Sequence, residues 1–301
     1  MILSAANVTK RFEQEVAVSH VDISLKAGTI QGLLGSNGAG KTTLLKLLAG
    51  IYTEDSGTIT YDGQPVYENS LIKDRVIFMP DHPYFFTASN LYEMGAFYRQ
   101  SYSQFSIERF AQLIKMLKLN PKQQFNRMSK GMKRQALFVL ALSSNPEVML
   151  MDEPFDGLDP VVKHIIKNLL IQDVTDRNMS LLVSSHNLRE MEDFCDSIAI
   201  MHEGEMLLNK QLDDLKKEHF KIQAAFEKLP PESFYKELDV VDRQIRGRVV
   251  TCIVKGRNQH IEQQITKYHP LMYDMLPLTL EEIFTYEMGG HGYAIENIIV
   301  E

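Results

Sequence analysis

The feature that most constrains the fold of this chain is the segment Gly35–Thr42, Gly-Ser-Asn-Gly-Ala-Gly-Lys-Thr. It has the spacing of a phosphate-binding loop, in which glycines let successive backbone amides point at phosphate oxygens. The apolar run Ile30–Leu34 before it predicts a buried strand. The run Thr42–Ala49, closed by Gly50, predicts a helix whose positive end faces the loop. An accidental glycine turn is the alternative, and the flanking strand and helix argue against it.

This loop supplies most of the candidate nucleotide-binding residues, which are Gly35, Ser36, Asn37, Gly38, Ala39, Gly40, Lys41, Thr42 and Thr43. We expect the Lys41 ammonium to bridge the β- and γ-phosphates of a nucleotide, and the Thr42 hydroxyl to ligate Mg²⁺. The loop alone predicts a nucleotide-binding protein and no more.

A second site is predicted where the apolar strand Val148–Met151 is followed by Asp152 and Glu153, and then by Pro154. Adjacent acids at a strand end point in different directions. We expect Asp152 to hold Mg²⁺ and Glu153 to act as the general base for the water that attacks the γ-phosphate. The alternative, a solvated acidic turn, is disfavoured by the phosphate loop in the same chain.

Composition sets further bounds on the 301-residue chain. Its net charge of −7 argues against broad attraction to nucleic acid or anionic lipid. No apolar stretch approaches the roughly 20 residues that cross a bilayer, and the first residues lack a signal-peptide pattern, so we expect neither a span nor secretion. Cys195 and Cys252 are far apart in sequence. They predict neither a disulfide framework nor a metal cluster, which favours a cytoplasmic location.

Apolar periodicity predicts the domain organisation. Short runs in the first thirty residues, broken at Lys10–Arg11 and at Lys26–Gly28, predict an antiparallel β layer. Helical spacing from about Asn90 predicts an inserted helical layer over about 88–142. The charged segment Leu212–Lys221, followed by Pro230-Pro231, marks a change of composition. We therefore predict a main domain over 1–212 and an accessory domain over 213–301.

A third motif identifies a family. The segment Met128–Gln135, Met-Ser-Lys-Gly-Met-Lys-Arg-Gln, resembles the signature motif of ATP-binding-cassette (ABC) ATPases, and Ser129 lies 88 residues after Lys41 and 23 before Asp152. The resemblance implies that ATP bound to one subunit is capped by the other subunit's signature residues, here Ser129, Lys130, Gly131 and Met132. A serine and a glycine at a helix amino end also suit an anion. The alternative is a basic helix start with Lys130, Lys133 and Arg134 as a solvated face.

Three further residues match this family, and each lies where the family's order of motifs along the chain places it. Asp159, in the segment Asp156–Pro160, resembles the coupling aspartate of the dimer-interface loop. His186 resembles the switch histidine, whose imidazole can hydrogen-bond the γ-phosphate. Phe12, 23 residues before the phosphate loop, matches the aromatic residue that stacks on adenine. Ordinary packing remains the alternative for His186, and a place in the core for Phe12.

One position departs from the family pattern. Where the family usually has a glutamine after a strand, the run Val76–Met79 and Pro80 are followed by Asp81. An aspartate keeps an oxygen ligand for Mg²⁺ but loses the amide donor and adds a negative charge. We expect ATP binding to survive and the timing of hydrolysis to be affected. A turn residue ahead of Pro83 is the alternative.

The resemblance implies a fold class: an α/β P-loop NTPase core with a mostly parallel sheet, an antiparallel β layer, a helical insert and a small C-terminal α+β extension. That extension resembles one found on many bacterial exporter cassettes. The implied function is the ATP-hydrolysing subunit of an exporter, with Mg²⁺ and ATP as ligands, at the cytoplasmic face of the membrane.

The implied partners are a separate membrane permease and a second cassette, in a homodimer or a paired heterodimer, with no nucleic acid. Tyr84, Phe85 and Phe86 are candidates for permease contact, and core packing is their alternative. A soluble cassette acting on ribosomes or DNA is the rival function. The uninterrupted single cassette and the acidic balance argue against it. A cassette that binds ATP without hydrolysing it is disfavoured by the intact Lys41 and Glu153.

Overall fold

The computed structural model describes residues 2–256 and 258–289, and these form two compact units. Unit 1 runs from the amino end to His186 and includes Ile198–Asn209, whereas unit 2 contains Asn187–Ser197 and the chain from Lys210 on. The chain passes from unit 1 to unit 2 for the last time between Asn209 and Lys210, close to the predicted boundary between 212 and 213. The contribution of Asn187–Ser197 to unit 2 has no counterpart in the prediction.

Among the described residues, ten strands and six α-helices lie wholly or mainly in unit 1. In chain order, the strands are β1 (Leu3–Phe12), β2 (Glu15–Leu25), β3 (Ile30–Leu34), β4 (Ser56–Tyr61), β5 (Gln64–Pro65), β6 (Val76–Met79), β7 (Val148–Met151), β8 (Ser180–Ser185), β9 (Ser197–His202) and β10 (Glu205–Gln211). The helices are α1 (Lys41–Leu48), α2 (Ser70–Lys73), α3 (Leu91–Ser101), α4 (Ile107–Met116), α5 (Lys130–Ser143) and α6 (Pro160–Arg177). A 3₁₀ turn spans Phe125–Arg127.

The centre of unit 1 is a six-stranded sheet with the order β10-β9-β3-β8-β7-β6. Strand β3 pairs with β8, β8 with β7, and β7 with β6, all in parallel. Every residue of β3, β7 and β8 is buried, as expected for parallel strands covered on both faces. Because parallel strands end at the same edge, the segments that follow β3, β6, β7 and β8 meet there.

A second sheet of unit 1 has the order β2-β1-β4-β5 and is antiparallel, which confirms the predicted β layer. The predicted break at Lys10–Arg11 is wrong, because β1 continues through both residues to Phe12. Register shifts between Ala5 and Arg11 show that bulges bend this strand without ending it.

The helical layer predicted over about 88–142 contains α3, α4 and α5. Each begins at a polar residue whose side chain accepts backbone N–H bonds: Asn90, Ser106 and Ser129. Asn90 forms a capping box with Glu93. Helix α5 is buried along most of its length, including Arg134.

Unit 2 contains a four-stranded antiparallel sheet with the order β12-β13-β11-β14. Its strands are β11 (His219–Ala225), β12 (Val240–Arg246), β13 (Val249–Lys255) and β14 (Met272–Pro277), and its helices are α7 (Leu188–Glu192), α8 (Leu212–Glu218), α9 (Glu232–Glu237), α10 (Asn258–Lys267) and α11 (Leu280–Gly289). Ile222, Phe234 and Cys252 lie in its apolar core. Among the described helices of the chain, none is both long and apolar enough to cross a bilayer.

Candidate nucleotide-binding and catalytic site

The phosphate loop joins β3 to α1, as the sequence predicts, and two of its glycines have no room for a side chain. A Cβ atom on Gly35 would lie 2.4 Å from the carbonyl oxygen of Met201, and one on Gly40 would lie 2.3 Å from that of Ala17. Gly40 also has a φ of 98°, which favours glycine. The close approach of strand backbones therefore sets the shape of the loop.

Lys41 begins α1 and its side chain is almost fully buried. Its Nζ atom donates hydrogen bonds to the carbonyl oxygens of Gly35 at 2.7 Å and of Ser36 at 3.1 Å. It also lies 3.8 Å from Oε1 of Glu153. Burial lowers the pKa of Lys41, and the charges of Glu153 and Asp152 oppose that shift. The ammonium is thus held at the loop, beside the carboxylates of Asp152 and Glu153.

Asp152 is buried directly after β7, and its carboxylate accepts hydrogen bonds from two hydroxyl groups. Thr42 Oγ1 donates to Oδ2 at 2.6 Å, and Ser184 Oγ donates to Oδ1 at 2.7 Å. The Ser184 hydroxyl also accepts a 3.0 Å hydrogen bond from the backbone N–H of Glu153. The sequence interpretation missed Ser184. A hydroxyl residue near the end of the strand beside β7 was the available signal.

The Glu153 carboxylate is held between a lysine and a histidine. Its Oε2 atom lies 3.1 Å from Nδ1 of His186, whereas its buried Oε1 atom has no hydrogen-bond partner among the described residues. Burial raises the pKa of Glu153, while the charges of Lys41 and His186 act in the opposite direction. The backbone of Glu153 has a φ of 44°, in the left-handed region.

Asp81, two residues after β6, has a neighbouring side chain close to each of its carboxylate oxygens. Oδ1 accepts a 2.7 Å hydrogen bond from Nη2 of Arg134, and Oδ2 lies 2.8 Å from Nδ1 of His82. Arg134 is only 1% exposed. The alternative of a solvated basic face is therefore wrong for Arg134, because α5 turns this residue inward towards β6 and β7.

These residues surround a cavity of about 270 Å³. Its walls are Ala17, Ser36, Asn37, Gly38, Ala39, Gly40, Lys41, Thr42, Thr43, Asp81, Asp152 and Glu153. The structure thus brings most of the predicted phosphate-loop and acid residues together. Phe12 is not among the lining residues. It is 42% exposed with its ring 5.4 Å from that of Tyr52, so the core alternative for Phe12 is wrong.

The predicted signature residues lie elsewhere on unit 1, and none of Ser129, Lys130, Gly131 and Met132 lines this cavity. Ser129 is exposed and caps α5, accepting a 3.2 Å bond from the N–H of Met132. A Cβ atom on Gly131 would lie 2.8 Å from the carbonyl oxygen of Gly157. Asp159 caps α6 through bonds from the N–H groups of Val161 and Val162.

Comparison with known proteins decides the family. The family model for ABC transporters matches residues 18–156. The bacitracin transport ATP-binding protein BcrA of Bacillus licheniformis is 32% identical over 73% of this chain and 73% of its own length. The chain belongs to the ATP-binding subunits of ABC transporters. This ABC subunit binds ATP and is an ATPase, as the sequence predicted.

Other relatives of this ABC subunit extend the comparison. The ABC transporter ATP-binding protein YtrB of Bacillus subtilis is 28% identical over 96% of this chain and 99% of its own length, so the match includes unit 2. The solved ATP-binding subunit of an ABC transporter matches with a TM-score of 0.67 and 25% identity, over 72% of this chain and 92% of that one. A dimeric post-hydrolysis cassette bound to ADP and Pi matches with a TM-score of 0.62 and 21% identity, over 70% of this chain and 99% of that one. These structures confirm the predicted fold class.

Proposed function

We propose that this ABC subunit drives an exporter through ATP-dependent dimerisation, with Glu153 as the general base of hydrolysis. The observation that carries the base assignment is the placement of the Glu153 carboxylate. One of its oxygens contacts His186, and the other is buried beside Lys41 without a hydrogen-bond partner among the described residues. Glu153 lines the cavity, and a carboxylate oxygen without a hydrogen-bond donor is suited to take a proton from a water bound there.

The oxygen atoms at the loop fit a magnesium site. The Thr42 hydroxyl and the Asp152 carboxylate are hard ligands in direct contact, beside the loop that would hold the phosphates. When bound there, Mg²⁺ would neutralise charge on the β- and γ-phosphates. Asp81 also lines the cavity, but its carboxylate is hydrogen-bonded to Arg134 and lies close to His82. Asp81 would reach the ion only by exchanging one of these partners or through a water.

In the proposed reaction, the loop amides and Lys41 hold the phosphates while Glu153 accepts a proton from water. The water oxygen then bonds to the γ-phosphorus, and the bond from that phosphorus to the β–γ bridging oxygen breaks. His186 is proposed to orient the γ-phosphate. If its Nδ1 donates to Glu153, its Nε2 can donate to phosphate only in the protonated imidazolium. Phe12 is proposed to stack on the adenine.

The signature residues complete the site from a second subunit. Ser129, at the amino end of α5, is exposed and lies outside the cavity wall of its own chain. A helix amino end with an exposed serine favours an anion, so we propose that Ser129 to Met132 cap the γ-phosphate held by the partner. Asp159 would lie at the same dimer interface. Hydrolysis removes the shared ligand and opens the dimer.

The membrane partner is inferred from relatives and from surface chemistry. The relatives include proteins named for Nod factor export, from Burkholderia lata, and for linearmycin resistance, from Bacillus subtilis. Tyr84 is 79% exposed and Phe86 is 48% exposed, whereas Phe85 stacks on the buried Phe125. We propose that Tyr84 and Phe86 contact a separate permease, which places the subunit at the cytoplasmic membrane face. Phe85 has the packing role.

The test of the base assignment is Glu153→Gln, which keeps the shape of the side chain but cannot accept the proton. We expect ATP binding to be retained, turnover to be lost and a dimer to accumulate with ATP in size-exclusion chromatography. Asp156→Asn is the matched amide control, and it should turn over normally at alkaline pH. A Glu153→Gln enzyme that hydrolyses ATP at the original rate would remove Glu153 from the base role.

The test of the partner is purification of the intact chain from its native membrane. Recovery of an integral membrane protein in a fixed ratio to this chain supports the exporter assignment. Recovery of ribosomes or DNA in its place contradicts that assignment and favours the rival function. Substitution of both Tyr84 and Phe86 by serine should release the membrane protein without changing the ATPase rate of the free subunit.

A further inference from the structure

Arg134 connects two catalytic segments of unit 1 from the inside of the protein. It lies on α5, five residues after the capping residue Ser129, and is 1% exposed. Its Nη1 atom donates to the backbone carbonyl of Glu153. Its Nη2 atom donates both to the backbone carbonyl of Asp81 and to Oδ1 of that residue. Asp81 and Glu153 follow β6 and β7, which are neighbours in the sheet.

Stability is a poor explanation for this arginine. Removing a guanidinium from water costs more than a well-placed carboxylate generally returns, and an apolar residue of similar size would often be as stable there. The Nε atom of Arg134 is buried and has no hydrogen-bond partner among the described residues, which adds to the cost. The neighbouring residues of α5, Ala136 to Leu142, are all buried and apolar. The arrangement is therefore explained by what Arg134 holds in place.

We propose that Arg134 is a positioning residue for ATP hydrolysis, fixing the backbone of Glu153 and the segment at Asp81 in a single arrangement. The inference rests on the base role proposed above for Glu153. That residue has a φ of 44°, in the left-handed region that residues other than glycine adopt less readily, so a constraint on its backbone helps to hold it there. The guanidinium contact to its carbonyl oxygen supplies such a constraint.

The contact between Arg134 and the Asp81 carboxylate explains how an aspartate can lie beside the phosphates. An unpaired carboxylate at the cavity wall would repel the nucleotide. The pair of Arg134 and Asp81 carries no net charge, so it takes the place of a neutral glutamine at this position. Asp81 in this arrangement is a partner of the arginine rather than a metal ligand.

A double-mutant cycle with Arg134→Gln and Asp81→Gln tests the inference. We expect Arg134→Gln to lower kcat about tenfold or more because the base is displaced, while KM for MgATP changes by less than about threefold. Since the two residues act together, the fold-decrease of kcat in the double variant should be about fivefold smaller than the product of the fold-decreases in the two single variants. Losses that multiply would overturn the coupling.

Nucleotide binding in EDTA gives a readout that a merely structural role would not move. Arg134→Gln leaves the Asp81 carboxylate uncompensated, so metal-free ATP should bind about fivefold more weakly, and adding Asp81→Gln should restore the affinity. Unchanged binding in Arg134→Gln would count against the charge argument. A fluorescent ATP analogue measures the dissociation constants.

Arg109→Gln is the control for loss of an arginine bonded to an aspartate. Arg109 donates to the buried Asp173 at 2.5 and 2.6 Å, and neither residue lines the cavity. This variant should lose thermal stability but keep kcat. If Arg134→Gln fails to fold, Arg134→Lys keeps the charge but cannot span both carbonyl groups, and it should still show reduced kcat with unchanged KM. Original kcat in a folded Arg134→Lys or Arg134→Gln variant overturns the inference.

Glu153→Gln in the same assay separates the two proposals. If it abolishes turnover and Arg134 variants do not lower kcat, the positioning inference alone fails. If Glu153→Gln leaves turnover intact, the base assignment fails, and the inference fails with it.

Discussion

The hydroxyl of Ser184 donates a 2.7 Å hydrogen bond to Oδ1 of Asp152, although the two residues are separated by 32 positions in the chain. The same hydroxyl accepts the backbone N–H of Glu153. Because β7 and β8 are parallel neighbours, Ser184 sits at the strand end from which both acids emerge. One small side chain thus fixes the directions of the metal-binding and base candidates.

Replacing Ser184 by alanine should damage both functions of that hydroxyl. The change leaves a buried carboxylate oxygen and the Glu153 N–H without this partner, at a cost of about 1 to 3 kcal/mol of unfolding free energy. We expect kcat to fall about tenfold or more because the acids lose their orientation. Chemical denaturation and steady-state ATPase rates measure the two effects. Ser143→Ala, which removes a buried hydroxyl bonded to the Val139 carbonyl of the same helix, is the control and should leave kcat unchanged.

The acid limb of the ATPase rate should lie above the pH at which an ordinary glutamate titrates, about 4.3. Burial raises the pKa of Glu153, and the base works only when deprotonated, so activity is lost at a higher pH. The negative charge of Asp156 adds to that rise, whereas His186 opposes it. Asp156→Asn should therefore move the limb to lower pH, and His186→Ala should move it to higher pH. Profiles of kcat/KM against pH, each normalised to its own plateau, test the directions, and equal shifts in both variants would contradict this account.

A stability prediction concerns Glu147, outside the catalytic site. Its carboxylate accepts hydrogen bonds from Arg75 at 2.6 Å and from the Tyr61 hydroxyl at 2.8 Å. The Arg75 hydrogen bonds, together with the Tyr61 bond, hold the pKa of Glu147 below its usual range. A lowered carboxyl pKa contributes stability at neutral pH, and this contribution is lost as pH falls through the acid range. Glu147→Gln should therefore lower Tm at pH 7, with a smaller difference in acid.

The ATPase activity of Glu147→Gln checks that the substitution affects stability and not the catalytic site. Glu147 does not line the nucleotide cavity, so kcat at 25 °C should equal that of the original enzyme. A Tm difference that stays constant down to acid pH would show that the ion pair is not the source of the effect.

Gly131 is predicted to control dimer formation through its fit against Gly157. A Cβ atom on Gly131 would lie 2.8 Å from the Gly157 carbonyl oxygen, which is backbone and cannot swing away. Gly131→Ala should therefore push the signature segment from the Asp156–Pro160 loop, and ATP-dependent dimerisation of the Glu153→Gln background should weaken about tenfold. Analytical ultracentrifugation measures it. Lys133→Ala, on the same helix turn, is the control for an alanine at a position without this close contact. Original dimerisation in Gly131→Ala would contradict the steric account.

Short motifs made much of the fold and site predictable. The phosphate loop, flanked by an apolar strand and a helix, predicted the unit of β3 and α1, and the run Val148–Met151 predicted β7 with both acids at its end. These predictions succeed because local glycine spacing and apolar runs depend on neighbours in the chain. The break expected at Lys10–Arg11 failed since pairing with β2 keeps these two charged residues in the strand.

The sequence by itself determined the family, the order of the motifs and the chemical type of each candidate residue, because these depend only on residue identity and spacing. Tertiary structure decided which side chains meet. A solvated basic face was one alternative for Arg134, yet the packing of α5 against the sheet buries it between Glu153 and Asp81. Ser184 could be recognised from the sequence only as a hydroxyl residue near a strand end, and the placement of β8 beside β7 decided which acids it meets. Contacts across neighbouring strands join residues far apart in the chain, and no local pattern encodes them.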